Sequence, residues 1–214
     1  MPAARFYKRR VIGIDYDEVI SDTMPCLLEF VAATRGWQYT PEQIHHHELH
    51  EVWGGTREQA TGIFMEFYDS HFFDEVKPVA GAIETLELLS REYDFAILTA
   101  RPLAIESKSA AWLNRHKKDM HFEVYHSCDF FPNGSATKAH LCHSLGAVAM
   151  IEDNSKYALD CAQQGIQTLL LDKPWNRNVE EQHFLRRASS WNAIPNLIAQ
   201  AGATLKNAVP IVVI

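Results

Sequence analysis

Val11-Ile12-Gly13-Ile14-Asp15-Tyr16-Asp17-Glu18-Val19-Ile20 is an apolar, β-branched run that ends abruptly in two aspartates one residue apart. Unbroken hydrophobicity over residues 11–14 suits a strand buried on both faces of a parallel sheet, and the change to acid marks where that strand leaves the sheet. Open α/β sheets bind their ligands along that carboxyl edge. Two partly buried like charges this close are costly unless a cation neutralises them, so a hard, oxygen-seeking ion such as Mg2+ fits Asp15 and Asp17. An isolated Asp-x-Asp serves equally well as a helix cap or a turn closure, so the pair alone does not decide the chemistry.

The 214 residues, 47% hydrophobic and 22% charged, fit one globular unit or a core carrying a smaller insertion. A formal net charge of -7 sets the whole-protein field against a nucleic-acid polymer, yet leaves local basic residues able to hold one phosphate. Cys26, Cys128, Cys142 and Cys161 are scattered, which predicts reduced thiols in a cytoplasmic protein and no structural zinc. Arg5, Lys8, Arg9 and Arg10 precede the first strand without an apolar segment, so no secretion signal is expected. The terminal Val209-Pro210-Ile211-Val212-Val213-Ile214 is too short to span a bilayer and reads as a docking or edge segment; no membrane association is expected.

Residues 24–76 lose β character and become aromatic and helical, with helix starts at Pro41-Glu42-Gln43 and Thr56-Arg57-Glu58-Gln59 and a turn at Trp53-Gly54-Gly55. The alternation then becomes regular. Helices are expected near 82–92, 105–116, 138–145 and 155–164, and strands at 95–98, 122–125, 148–151 and 168–171, the last clear one. Such alternation means an α/β fold with a doubly wound, Rossmann-like parallel sheet, formed by residues 1–23 and 77–214, with 24–76 inserted as a helical cap.

Three later strand or helix ends join the first: Ile97-Leu98-Thr99-Ala100-Arg101, Lys138 at a helix start, and Ile151-Glu152-Asp153-Asn154. Singly, each has a bland explanation as a turn residue, a solvated lysine or an N-cap. In this order they resemble the haloacid dehalogenase superfamily of phosphatases. The resemblance implies Asp15 as a nucleophile that becomes an aspartyl phosphate, and Asp17 as general acid and base. It implies Mg2+ held by Asp15, the backbone carbonyl of Asp17 and Asp153, with Thr99, the Ala100 amide and Lys138 binding the phosphoryl group. Asp17 favours phosphate transfer over dehalogenation, which has no leaving alcohol to protonate. Glu18 departs from the superfamily, where a small residue, often glycine, follows the second aspartate.

Within the superfamily the chain looks most like the 5'(3')-deoxyribonucleotidase family and its bacterial relatives. The similarity lies in Asp15 to Ile20, Pro78-Val79-Ala80-Gly81-Ala82, Leu98 to Pro102, Lys108 with Ala111-Trp112-Leu113, Ile151 to Asn154, and Asp172-Lys173-Pro174-Trp175-Asn176-Arg177. This implies a nucleoside monophosphate substrate and a homodimer. Trp53, beside two glycines, is the first candidate to stack on a base, although it equally suits the cap's own core. Arg101 and Lys108 are candidates for the substrate's phosphate or sugar, and Arg101 equally for a pair with Glu152. Trp175-Asn176-Arg177 falls near the catalytic edge. His46 and His50, four apart in a histidine-rich stretch with His45 and His47, fit a polar cap surface better than a metal site, since no ligand pattern completes the shell. A phosphatase of a non-nucleotide metabolite, or a phospho-ligand sensor without turnover, stays open.

Overall fold

In a computed structural model of the chain, β1 (Arg10–Ile14) lies inside a six-stranded sheet, hydrogen-bonded on both sides. The structure describes residue 7, residues 9–127 and residues 136–207; Arg5, Lys8, Cys128 and the tail Val209 to Ile214 lie outside the described residues. After β1 come β2 (Ser21–Asp22), α1 (Thr23–Arg35), α2 (His50–Trp53), α3 (Arg57–Tyr68), α4 (His71–Asp74), β3 (Lys77–Pro78), α5 (Ala82–Leu89) and β4 (Tyr93–Thr99). The chain continues through α6 (Glu106–His116), β5 (Phe122–His126), α7 (Lys138–Leu145), β6 (Ala147–Glu152), α8 (Ser155–Gln163), β7 (Thr168–Leu171), β8 (Leu185–Ala188) and α9 (Ile194–Asn207). The sheet order is β5-β4-β1-β6-β7-β8, with every neighbouring pair parallel. This is the doubly wound α/β sheet that the alternating pattern predicts.

Side chains alternate across a strand, and the two faces of β1 enter different clusters. Ile12 and Ile14 pack with α5, α6 and α9 through Leu86, Trp112 and Ile194. Val11 packs with Ala96, Leu98 and Met150 against Ala139 and Cys142 of α7 and Cys161 of α8. Helices thus cover both faces, which is why residues 11–14 carry no polar side chain. Gly13 permits the closest approach: a Cβ there would lie 2.9 Å from Met150 Sδ and 3.1 Å from Leu98 Cδ1.

The aromatic segment runs between β2 and β3, which pair antiparallel with Ser21 opposite Pro78 and Asp22 opposite Lys77. Thr56 opens α3 as expected: its hydroxyl accepts from Gln59 N at 3.3 Å while Gln59 Oε1 accepts from Thr56 N at 2.8 Å. Phe30, Phe67 and Phe73 meet edge to face at 5.8 and 5.6 Å between centroids, and they share one buried cluster with Ile12 and Ile14.

Two elements follow the strand expected to be last. β8 carries the sequence Leu-Arg-Arg-Ala, with only its two ends buried, so it lacks an apolar run; α9 follows it. His46 precedes α2, whereas His50 begins it, so the two do not share a helix face.

Candidate active site

The carboxyl ends of β1, β4 and β6 and the first residue of α7 converge. Asp15 leaves β1 with its backbone N–H donating to Ile151 O at 2.9 Å, which keeps it in register with β6. Thr137 caps α7 by accepting from His140 N at 3.2 Å, and this fixes Lys138 at the helix start. Lys138 is 1% exposed; its Nζ lies 2.7 Å from Asp15 Oδ1, 2.9 Å from Glu152 Oε2 and 4.8 Å from the centre of the Tyr157 ring. Thr99 is buried at the end of β4, where its Oγ1 accepts from Arg101 N at 3.1 Å.

Asp17 faces a different cation. Arg101 donates from Nε to Asp17 Oδ2 at 2.8 Å and from Nη2 to Oδ1 at 2.6 Å, and the Thr23 hydroxyl donates to Oδ1 at 2.7 Å. Arg101 therefore pairs with Asp17, and Glu152 pairs with Lys138. Glu18 sits at φ +59°, a left-handed conformation that favours glycine. Its carboxylate is tied down by Met24 N and, at 3.2 Å, by Lys173 Nζ. These contacts hold a residue with a side chain where the superfamily commonly has a small one.

Burial raises the Asp15 carboxyl above its ordinary range, opposed by Lys138. Burial and the neighbouring Asp15 push Glu152 up to about 7, and burial lifts Glu18 to about 7 against the pull of Lys173. Asp153 is pushed well up by burial and by Glu152 and Asp15. For Asp17 burial acts upward too, but the Arg101 guanidinium outweighs it and holds the carboxyl below its usual range. These five carboxyl groups meet Arg101, Lys138 and Lys173, so full ionisation leaves a surplus of two negative charges.

Asp15, Glu152 and Asp153 each place one carboxylate oxygen within 4.8 Å of the others. Three hard oxygen donors with that surplus fit a divalent cation of the Mg2+ type. The Asp17 carboxylate is not in this group, being engaged by Arg101, and Glu152, which was expected only beside the metal ligand, is. No histidine belongs to a metal-ligating group among the described residues.

Asp15, Asp17, Ala100, Arg101, Lys138 and Asp153 line one cleft of about 160 Å³. Its opposite wall comes from the aromatic insert: Leu49, Ala60, Phe64 and Tyr68 form an apolar part, and His47, Glu48, His50 and Arg57 a polar part. Ala60, Phe64 and Tyr68 follow one face of α3 at a spacing of four residues. Thr99, an expected phosphate contact, is 1% exposed and not among the lining residues, and two expected substrate contacts lie elsewhere. Trp53 is outside the lining and packs on Trp37, with centroids 5.7 Å apart. Lys108 is also outside it, donating to Tyr68 O at 2.7 Å and to Asp69 Oδ1 at 2.8 Å. Phe64 is a lining residue that the sequence does not single out, although its four-residue spacing from Ala60 and Tyr68 puts the three on one helix face.

No described helix is long and apolar enough to cross a membrane. No curated protein matches the chain. Among solved structures, a haloacid dehalogenase-like hydrolase from Streptococcus pneumoniae is similar at a TM-score of 0.64 and 16% identity, over 88% of this chain and 97% of that one. A haloacid dehalogenase-superfamily hydrolase from Geobacter sulfurreducens is similar at 0.58 and 15%, over 89% and 96%. A haloacid dehalogenase-like hydrolase from Xanthomonas campestris gives 0.54 and 15%, over 91% and 98%. At these identities the likeness is one of fold. The family model described as 5' nucleotidase, deoxy (pyrimidine), cytosolic type C protein matches residues 9–204. The chain belongs to this family of haloacid dehalogenase-superfamily phosphatases and is a phosphoric monoester hydrolase of the 5'-nucleotidase-like kind.

Proposed function

We propose that the protein is a Mg2+-dependent phosphomonoesterase acting on a nucleoside monophosphate through an aspartyl phosphate on Asp15. The convergence of Asp15, Asp17, Lys138 and Asp153 on a cleft whose other wall is aromatic and polar supports this function. Asp15, Asp153 and the backbone carbonyl of Asp17 would hold the ion, with Glu152 the further carboxylate in reach. When bound, Mg2+ supplies charge that lets the anionic phosphate approach an anionic nucleophile.

The chain's own groups do the rest. Asp15 attacks phosphorus, the phosphorus–ester oxygen bond breaks, and Asp17 gives the leaving oxygen its proton. Asp17 then takes a proton from the water that hydrolyses the acyl phosphate, which returns Asp15 to its carboxylate and Asp17 to its acid form. Arg101 favours the ionised form of Asp17, so proton delivery requires Asp17 to give up a guanidinium contact when substrate fills the cleft. Thr99, the Ala100 amide and Lys138 hold phosphoryl oxygens; Lys138, already 2.7 Å from Asp15, offsets charge gathering at the reacting centre.

Residues 24–76 act as a cap, entered and left through the paired β2 and β3. Phe64 takes the base-stacking part assigned to Trp53, because it lines the cleft. Cys26, Cys142 and Cys161 are free thiols, in keeping with a cytoplasmic setting. Phosphate release from nucleoside monophosphates, sugar phosphates and an aryl phosphate, with and without Mg2+, tests the assignment. Mg2+-dependent release concentrated on nucleotides is expected; release with no nucleotide preference refutes the substrate, and tight nucleotide binding without release refutes the reaction.

A further inference from the structure

The turn after β7 reaches back into the acidic cluster through two side chains. Trp175 Nε1 donates to Asp153 Oδ2 at 2.9 Å. Asn176, 0% exposed, donates from Nδ2 to Asp153 O and to Leu171 O, both at 2.7 Å. Its Oδ1 accepts from Arg187 Nη1 at 2.7 Å and from Lys173 N at 3.2 Å. An amide has two donors and two acceptor lone pairs, and here all four are used, so its orientation is fixed. Arg187 stands on β8 in register with Leu170 of β7. Besides Asn176 Oδ1 it donates to Asp172 Oδ1 at 2.8 Å, Asn176 O at 3.0 Å and Val179 O at 2.7 Å. One guanidinium thus holds both flanks of the turn.

We infer that Trp175 and Asn176, anchored by Arg187, are positioning residues that set the Asp153 carboxylate for a divalent cation. This rests on the proposed function, which makes Asp153 a metal ligand. The indole N–H occupies a lone pair of Oδ2 and limits rotation of the carboxylate, and Asn176 immobilises the backbone carbonyl of the same residue. An aromatic ring serving only to fill the core has no need to direct its one N–H at an ionisable oxygen. Partners of metal ligands commonly change affinity by about 10- to 100-fold when removed.

The test uses the full chain with Mg2+ alone as probe, measured by isothermal titration calorimetry and by tryptophan emission, with metal-free Tm alongside. Trp175→Phe keeps an aromatic ring and removes the donor. Arg187→Met removes the anchor without touching Asp153, and its partly exposed site makes it the fallback should Trp175→Phe not fold. Trp175→Phe should weaken Mg2+ binding about 10-fold or more and abolish the metal-linked emission change, with metal-free Tm nearly unchanged; Arg187→Met should also weaken binding. Wild-type affinity in both folded variants overturns the positioning role. Asp153→Asn separates the two layers: Mg2+ binding lost there but kept in Trp175→Phe and Arg187→Met defeats only the positioning role. Equal binding by wild type and Asp153→Asn, or none by either, defeats the metal assignment and the positioning role with it.

Discussion

Arg101 grips Asp17 with two nitrogens, Nε 2.8 Å from one carboxylate oxygen and Nη2 2.6 Å from the other, joining the end of β4 to the turn after β1. The arginine side chain is 1% exposed and the aspartate 33%. Arg101→Gln should destabilise the fold by about 2–4 kcal/mol, less than a fully buried pair because Asp17 opens to the cleft. The Asp17 carboxyl is held below its ordinary value of 3.8. A carboxyl held low stabilises the fold above its unfolded pKa, and that contribution fades as pH falls through the folded value. The Tm difference between wild type and Arg101→Gln, measured with EDTA, should therefore be full at neutral pH and shrink below pH 3.8.

Lys138 is the cation shared by Asp15 and Glu152. Lys138→Met removes it and leaves both carboxylates buried without their pair. Turnover should fall by at least about 100-fold, the scale seen when one electrostatic stabiliser of a transition state is lost. Metal-free stability should fall by about 3–5 kcal/mol. Steady-state kinetics and a denaturant titration check the two effects.

Asp153→Asn should act in opposite directions with and without metal. Burial and the neighbouring Glu152 and Asp15 disfavour its charge, so neutralising it relieves repulsion in the metal-free chain. A metal-free Tm higher by about 2–4 °C is expected, the change that about 1 kcal/mol produces at this chain length. Wild type should gain stability on adding Mg2+, about 2.7 kcal/mol at a hundredfold excess over Kd, and the variant should gain little. Thermal melts with Mg2+ and with EDTA decide this.

Phe64 and Trp53 should separate substrate recognition from cap packing. Phe64 lines the cleft, whereas Trp53 leans on Trp37. Phe64→Ala should raise KM for nucleotides by roughly 5- to 150-fold, the equivalent of losing about 1–3 kcal/mol of stacking. Trp53→Leu should lower Tm and leave KM near wild type.

The sheet was legible wherever a strand is buried on both faces, because residues 11–14, 95–98, 148–151 and 169–171 carry no polar side chain. β8 was not: half of Leu185–Ala188 is arginine, and Arg187 is there for the turn it anchors rather than for the core. Asp15, Asp17 and Asp153 were readable because they follow closely on the ends of β1 and β6, and Lys138 because it begins α7. Pairings across the site were not. Spacing places Arg101 and Glu152 at the same edge but does not say that Arg101 takes Asp17 while Glu152 takes Lys138. Trp53 looked presented by Gly54 and Gly55, yet those glycines turn the chain with φ of +79° and +91° and leave the ring against Trp37.

In the proposed reaction Asp15 carries the phosphoryl group. Wild type mixed with a nucleoside monophosphate and Mg2+, quenched in acid within one turnover and mapped by peptide mass spectrometry, tests it directly. A phosphoryl group on the peptide at Asp15, absent from Asp15→Asn together with all phosphate release, is the predicted result. Mg2+-dependent turnover by Asp15→Asn, or a phosphoryl group on another residue, would contradict it.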